Sequence, residues 1–133
     1  MGALISGIHH VALKCNGTAE FEKTLDFYQN TLGLEPVRSW GEGENAGAML
    51  STGDGLLEIF ASGKPLHQGT IRHFALRTER VDDCVAAVRK AGYAITVEPK
   101  DIVIASNPPF LARIAFCIGP VGEEIEFFQE KAQ

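Results

Sequence analysis

The chain reads as an α+β protein built from two tandem βαβββ modules, and three features of the sequence carry that reading. Ile8-His9-His10-Val11-Ala12-Leu13-Lys14 returns as Ile71-Arg72-His73-Phe74-Ala75-Leu76-Arg77, so that His10 falls on His73, 63 positions later. Leu57-Glu58-Ile59-Phe60 returns as Ile125-Glu126-Phe127-Phe128, in both cases with one carboxylate inside an apolar run. After each His stretch comes a single segment whose apolar residues fall at helical spacing. A period this long, present twice, indicates internal duplication and not a stacked repeat array. The modules span about 5–62 and 70–131 within one domain of residues 1–133, their curved sheets packed on helices on one side and leaving a concave face on the other.

The first His stretch alternates apolar with polar or small residues and reads as a strand. Side chains two apart on a strand share a face. Val11 and Leu13, like Phe74 and Leu76, therefore turn into packing, while His10, Ala12 and Lys14, like His73, Ala75 and Arg77, turn to the other side. Asn16-Gly17-Thr18 is a turn with a candidate N-cap. A helix follows over Ala19 to Leu32, with Phe21, Leu25, Tyr28 and Leu32 on its apolar face and Gly33 at its end. Glu35 to Trp40 reads as a strand, the Gly- and Glu-rich 41–47 as a loop, and Ala48 to Ser51 as a short strand. Gly53-Asp54-Gly55 turns into the strand Leu56 to Ala61, and Ser62 to Gly69 is a linker.

The second module repeats the order: the His73 strand to Thr78, a helix over Val81 to Ala91 with Val81, Val85 and Val88 inward, and a stop at Gly92. Tyr93 to Val97 reads as a strand, and Glu98 to Pro109, with three prolines, as a long loop suited to a lid. Arg113 to Ile118 alternates as a strand, Gly119 to Gly122 turns, and Ile125 to Phe128 closes the module.

Composition narrows the partners. A hydrophobic fraction of 45% and a charged fraction of 22% belong to a folded globular chain. The net charge of -5, with no basic run, argues against a nucleic-acid or anionic-membrane surface and for a small-molecule partner. No signal peptide or apolar span is legible, which predicts a cytoplasmic protein. Cys15, Cys84 and Cys117 are widely spaced without a CxxC pair, so free thiols are expected.

The chemistry collects on the face that carries His10 and His73. Glu58 and Glu126 sit in apolar runs, and a carboxylate is seldom desolvated without compensation. Two imidazoles and two carboxylates suit a divalent first-row metal, Ni²⁺, Zn²⁺ or Co²⁺ first and Mn²⁺ or Fe²⁺ next, with positions left for water or substrate. A single His or Glu beside apolar residues is more often a satisfied polar group than a ligand; recurrence of both at matched places favours ligation. His9, one residue away, is expected on the opposite side, and its counterpart is Arg72, which cannot ligate. His67 lies in the linker without a counterpart, and Glu124 shares the face of Glu126 as a weaker candidate.

These residues resemble the vicinal oxygen chelate superfamily of glyoxalase I, methylmalonyl-CoA epimerase, bleomycin-resistance proteins and extradiol dioxygenases. The carriers are His10-Val11-Ala12-Leu13, Phe27-Tyr28-Gln29-Asn30-Thr31-Leu32-Gly33-Leu34, Leu57-Glu58-Ile59, His73-Phe74-Ala75-Leu76 and Gly119 to Glu126. The resemblance spans nearly the whole chain and implies metal ligands at His10, Glu58, His73 and Glu126. Glu58, where the epimerase commonly has Gln, leans towards a glyoxalase I-like lyase or isomerase, with Glu126 and Glu58 as catalytic carboxylates on opposite faces of the substrate. The glutathione-reading positions hold Lys14 and Ser62, and the final turn reads GPVG in place of DPDG.

The expected reaction is proton abstraction next to a carbonyl held by the metal as Lewis acid. Lys14 and Arg77 are candidates to hold an anionic group of the substrate, a thiol adduct or other anionic metabolite, and Trp40 and Phe110 to line the mouth. The alternatives are an epimerase-like or thiol-transfer resistance enzyme, and a metal-independent protein that binds a drug or metabolite without turnover. A homodimer is expected, the two modules pairing either within the chain or across it.

Overall fold

A computed structural model of the chain describes residues 8–63, 73–105 and 108–133. The chain divides into two compact units at Pro65 and Leu66, close to the module boundary expected from the repeat.

In the first unit, β1 (His10–Lys14) leads into α1 (Thr18–Asp26), one wide π-helical turn (Phe27–Thr31), β2 (Glu35–Trp40), β3 (Gly47–Ser51) and β4 (Leu56–Phe60). The strands form one sheet in the order β1-β4-β3-β2, with β1 parallel to β4 and the remaining pairs antiparallel. The exposed–intermediate alternation along β1 follows the expected two-faced pattern, Val11 and Leu13 lying deeper than His10, Ala12 and Lys14. Phe21, Phe27 and Tyr28 from the helix meet Leu50, Leu57 and Ile59 from the sheet in the core. Each such large side chain contributes roughly 1.5–3 kcal/mol of burial.

The helix departs from the sequence reading in two ways. Its inward face uses Thr24 and Phe27, while Leu25 and Leu32 are only half-buried. The Leu32 N–H reaches back five residues to the Phe27 carbonyl, and this wide turn brings the consecutive Phe27 and Tyr28 rings inward together, edge to face at 5.0 Å. Buried Thr24 is satisfied by donating to the Glu20 carbonyl at 2.7 Å. The N-cap is Gly17, at φ 93° and without a capping side chain; Glu20 instead reaches back to accept from the Asn16 N–H at 2.8 Å. Gly33 follows the helix at φ 77°, as its expected stopping role requires.

The second unit has the same plan: β5 (Phe74–Arg77), α2 (Val81–Lys90), β6 (Ile95–Ile104), β7 (Phe110–Ile118) and β8 (Glu124–Glu130), in the sheet order β5-β8-β7-β6 with β5 parallel to β8. Val81, Val85 and Val88 are buried as the helical spacing predicts, alongside Ala115, Cys117, Ile125 and Phe127.

The expected lid is the main correction. Residues 98–104 continue β6, and β7 starts at Phe110, so the two strands form a long hairpin whose register shifts between Val97 and Lys100. Pro99 is tolerated there because β6 is the sheet edge and the shift removes the need for its missing N–H. The linker from residue 64 on, with His67, and Ile71 and Arg72 of the second His stretch lie outside the described residues.

Candidate metal centre

Each unit brings one imidazole to one carboxylate. In the first, Glu58 on β4 stands opposite Ala12 of β1, one side-chain step beyond His10, and His10 Nε2 lies 3.5 Å from Glu58 Oε1. In the second, Glu126 on β8 stands opposite Ala75 of β5, one step beyond His73, and His73 Nε2 lies 3.5 Å from Glu126 Oε1. The offset and the distance coincide, and so does the exposure: each imidazole is 39% accessible, and the carboxylates 14% and 13%. Burial raises the Glu126 carboxyl above its ordinary value against the opposing pull of the His73 charge and hydrogen bond.

The imidazoles are oriented by different neighbours. His9 precedes β1, so strand alternation does not carry it to the opposite face; its Nδ1 lies 2.9 Å from His10 Nδ1, the rings edge to face. His10 therefore keeps Nδ1 engaged and turns Nε2 to Glu58. His73 is held edge-on to Phe116, ring centroids 5.2 Å apart. Among the described residues no group of three or more His, Cys, Asp or Glu side chains comes together, so the donors present are two pairs. An imidazole nitrogen and a carboxylate oxygen are donor types that suit a divalent first-row ion.

The expected substrate-binding residues lie further along the same sheet faces. Lys14 is opposite Phe60, its Nζ 5.9 Å from the ring centroid, and Trp40 meets Phe60 from the other side at 5.8 Å. In the second unit Arg77 is opposite Phe128, and Phe110 lies 6.0 Å from that ring. A phenylalanine at this place, Phe60 or Phe128, is thus common to both units. Each stands two residues after its Glu and closes the repeated stretch Leu57–Phe60 or Ile125–Phe128, so the repeat itself held the signal. An open depression of about 460 Å³ beside His9, lined also by Ser51, Asp54 and Leu56, includes neither His10 nor Glu58.

The chain belongs to the Glyoxalase/Bleomycin resistance protein/Dioxygenase superfamily, whose pattern matches residues 7–127. The fold is shared with a glyoxalase family protein from Enterococcus faecalis at 21% identity, TM-score 0.71, covering 95% of this chain and 99% of that one. It is shared also with the trypanothione-dependent glyoxalase I of Leishmania major at 22% identity, TM-score 0.69, covering 95% and 88%. An antibiotic-binding protein of a Streptomyces species is similar at 22% identity, TM-score 0.70, covering 98% and 100%. No curated protein sequence matches the chain. Among the described residues no helix is long and apolar enough to cross a membrane.

Proposed function

We propose that the protein is a metal-dependent, glyoxalase I-like lyase or isomerase that moves a proton on a carbon next to a carbonyl. The observation that carries this is the recurrence of the His–Glu pair, at 3.5 Å and with the same register offset, in both units. His10, Glu58, His73 and Glu126 would hold the ion, which when bound supplies Lewis-acid polarisation of the carbonyl.

The remaining work falls to the chain's own side chains. Glu126, whose carboxyl holds its proton more tightly than an ordinary glutamate, is suited to take a proton from carbon and return it. Glu58 is its counterpart for the opposite side of the substrate. Lys14 and Arg77 hold an anionic group, and the sheet faces beside Phe60 and Phe128 exclude water from the reacting carbon. The similarity to an antibiotic-binding protein favours a second reading, in which the same faces hold a drug or metabolite without turnover.

The test is turnover of a methylglyoxal–thiol hemithioacetal by protein loaded with Ni²⁺ or Zn²⁺. Activity that disappears in Glu126→Gln is expected, whereas no turnover with any thiol, together with tight drug binding, selects the second reading. Because each module supplies two donors, the full set needs two modules from one chain or from a homodimer. Mixing a chain lacking His10 and Glu58 with one lacking His73 and Glu126 separates these cases: only exchange across a dimer regenerates a complete set.

A further inference from the structure

We propose that the first module carries a seat for a planar aromatic anion, built from Trp40, Gly47, Phe60 and Lys14. It rests on the reading of this sheet face as substrate-binding and narrows the substrate to a class.

The four residues occupy one straight row across the sheet: Lys14 on β1 is paired with Phe60 on β4, Phe60 with Gly47 on β3, and Gly47 with Trp40 on β2. Paired residues point to the same side of a sheet. Gly47 is the residue that makes the row flat. Its backbone is at an ordinary strand position, but a methyl group there would overlap the Trp40 indole, so the ring lies directly over the glycine. The indole then meets the Phe60 ring at 5.8 Å and 65°, and still keeps 36% of its surface open. The Lys14 ammonium stands 5.9 Å from the Phe60 centroid at the other end of the row. A flat ring laid against Trp40 and Phe60 gains stacking contact, and an acidic group on that ring meets Lys14.

The duplication provides an internal comparison. The corresponding row of the second module reads Arg77, Phe128, Ile114, Lys100. The cation and the first aromatic are kept, while isoleucine stands where Gly47 is and lysine where Trp40 is. The His, the Glu, the cation and the Phe recur in both modules; the glycine-backed indole belongs to the first alone. That asymmetry is expected of a residue pair that selects the substrate and not of one that maintains the fold. The neighbouring row holds Glu58, about 7 Å away at two residues along the strand, so the seated ring lies beside the Glu58 row while its acidic group stays at Lys14.

Trp40 is the single tryptophan of the chain, and its fluorescence reads the seat directly. The full chain is titrated with trans-cinnamate, with its saturated analogue cyclohexanepropionate, and with neutral cinnamyl alcohol. Cinnamate is expected to quench Trp40 saturably, binding at least about tenfold more tightly than either analogue. Gly47→Ala is expected to weaken cinnamate by a similar factor, and Lys14→Gln to abolish the preference for cinnamate over the alcohol. If Gly47→Ala does not fold, Trp40→Leu read by calorimetry takes its place, with the same loss expected. Absence of saturable quenching, equal affinities for the three compounds, or a Lys14→Gln chain that keeps its preference overturns the seat. Metal uptake measured on the same preparation keeps the two readings apart: metal bound without cinnamate quenching removes the seat alone, and quenching without metal uptake leaves the seat and removes the lyase.

Discussion

Cys117 is fully buried, and desolvation pushes its thiol up to about 12, so the nucleophilic thiolate is nearly absent at neutral pH. Cys15 is equally buried, its thiol 3.4 Å from Thr24 Oγ1, whereas Cys84 is partly accessible. A maleimide reagent on the native protein is therefore expected to modify Cys84 first, with Cys15 and Cys117 reacting only on unfolding; rapid labelling of Cys117 would contradict the burial. At this scale the sequence reached far. His10, Glu58, His73 and Glu126 were legible because duplication doubles the signal of a residue that is ambiguous alone, and the structure brings them together as two pairs. His9 departs from the alternation because it precedes the strand, and its ring meets that of His10. Gly47 left no trace, since its role comes from the indole of a different strand lying on it.

At the scale of elements, helix positions followed from periodicity but one face was drawn slightly wrong. Phe27, at the start of the π turn, takes a core position, while Leu25, on the regular part of the helix, is only half-buried. Phe27→Ala is expected to cost about 3–5 kcal/mol and Leu25→Ala clearly less, by chemical denaturation; equal costs would restore the regular face. The misread lid has a similar origin. Prolines signal loops locally, but Pro99 sits on an edge strand where its missing N–H is not needed, a fact set by sheet order and invisible in sequence.

That same hairpin is tied down by Arg113. Its guanidinium donates twice to Asp82 on α2, at 2.8 and 2.9 Å, and once to Asp101 on β6, at 3.2 Å. Hydrogen bonds from Arg113 hold both carboxyls below the ordinary aspartate value of 3.8. A carboxyl whose folded pKa is depressed contributes stability above its unfolded pKa and loses it as pH falls through the folded one. The contribution of these exposed pairs is therefore complete at neutral pH and fades as the pH falls below about 3.8 towards the folded value. Thermal melts should show a small deficit in Arg113→Gln at pH 7 that shrinks towards pH 3. A deficit independent of pH would mean that Arg113 acts through packing alone.

For the whole molecule, the α+β architecture of two βαβββ units was legible because each unit repeats the other's order of elements, and the family match over residues 7–127 agrees with it. What the duplication kept and what it changed now separate two levels of function. The His–Glu pair with its neighbouring cation and Phe is common to both units and, on the proposed function, carries the shared chemistry; the glycine-backed Trp40 belongs to one and, on the proposed seat, sets the choice of substrate. Neither level could be weighed from the sequence, where Gly47 and Trp40 stand in a stretch that reads only as loop and strand ends.

The central claim is that the two His–Glu pairs form one metal centre, and metal content tests it most directly. Elemental analysis of the purified chain, loaded with Ni²⁺ or Zn²⁺ and freed of excess, should give about one divalent ion per chain, because two pairs per chain would complete one four-donor set. His73→Ala combined with Glu126→Ala should bring that value to near zero while the fold, read by circular dichroism, persists. A folded double variant that still holds one ion per chain would contradict the assignment.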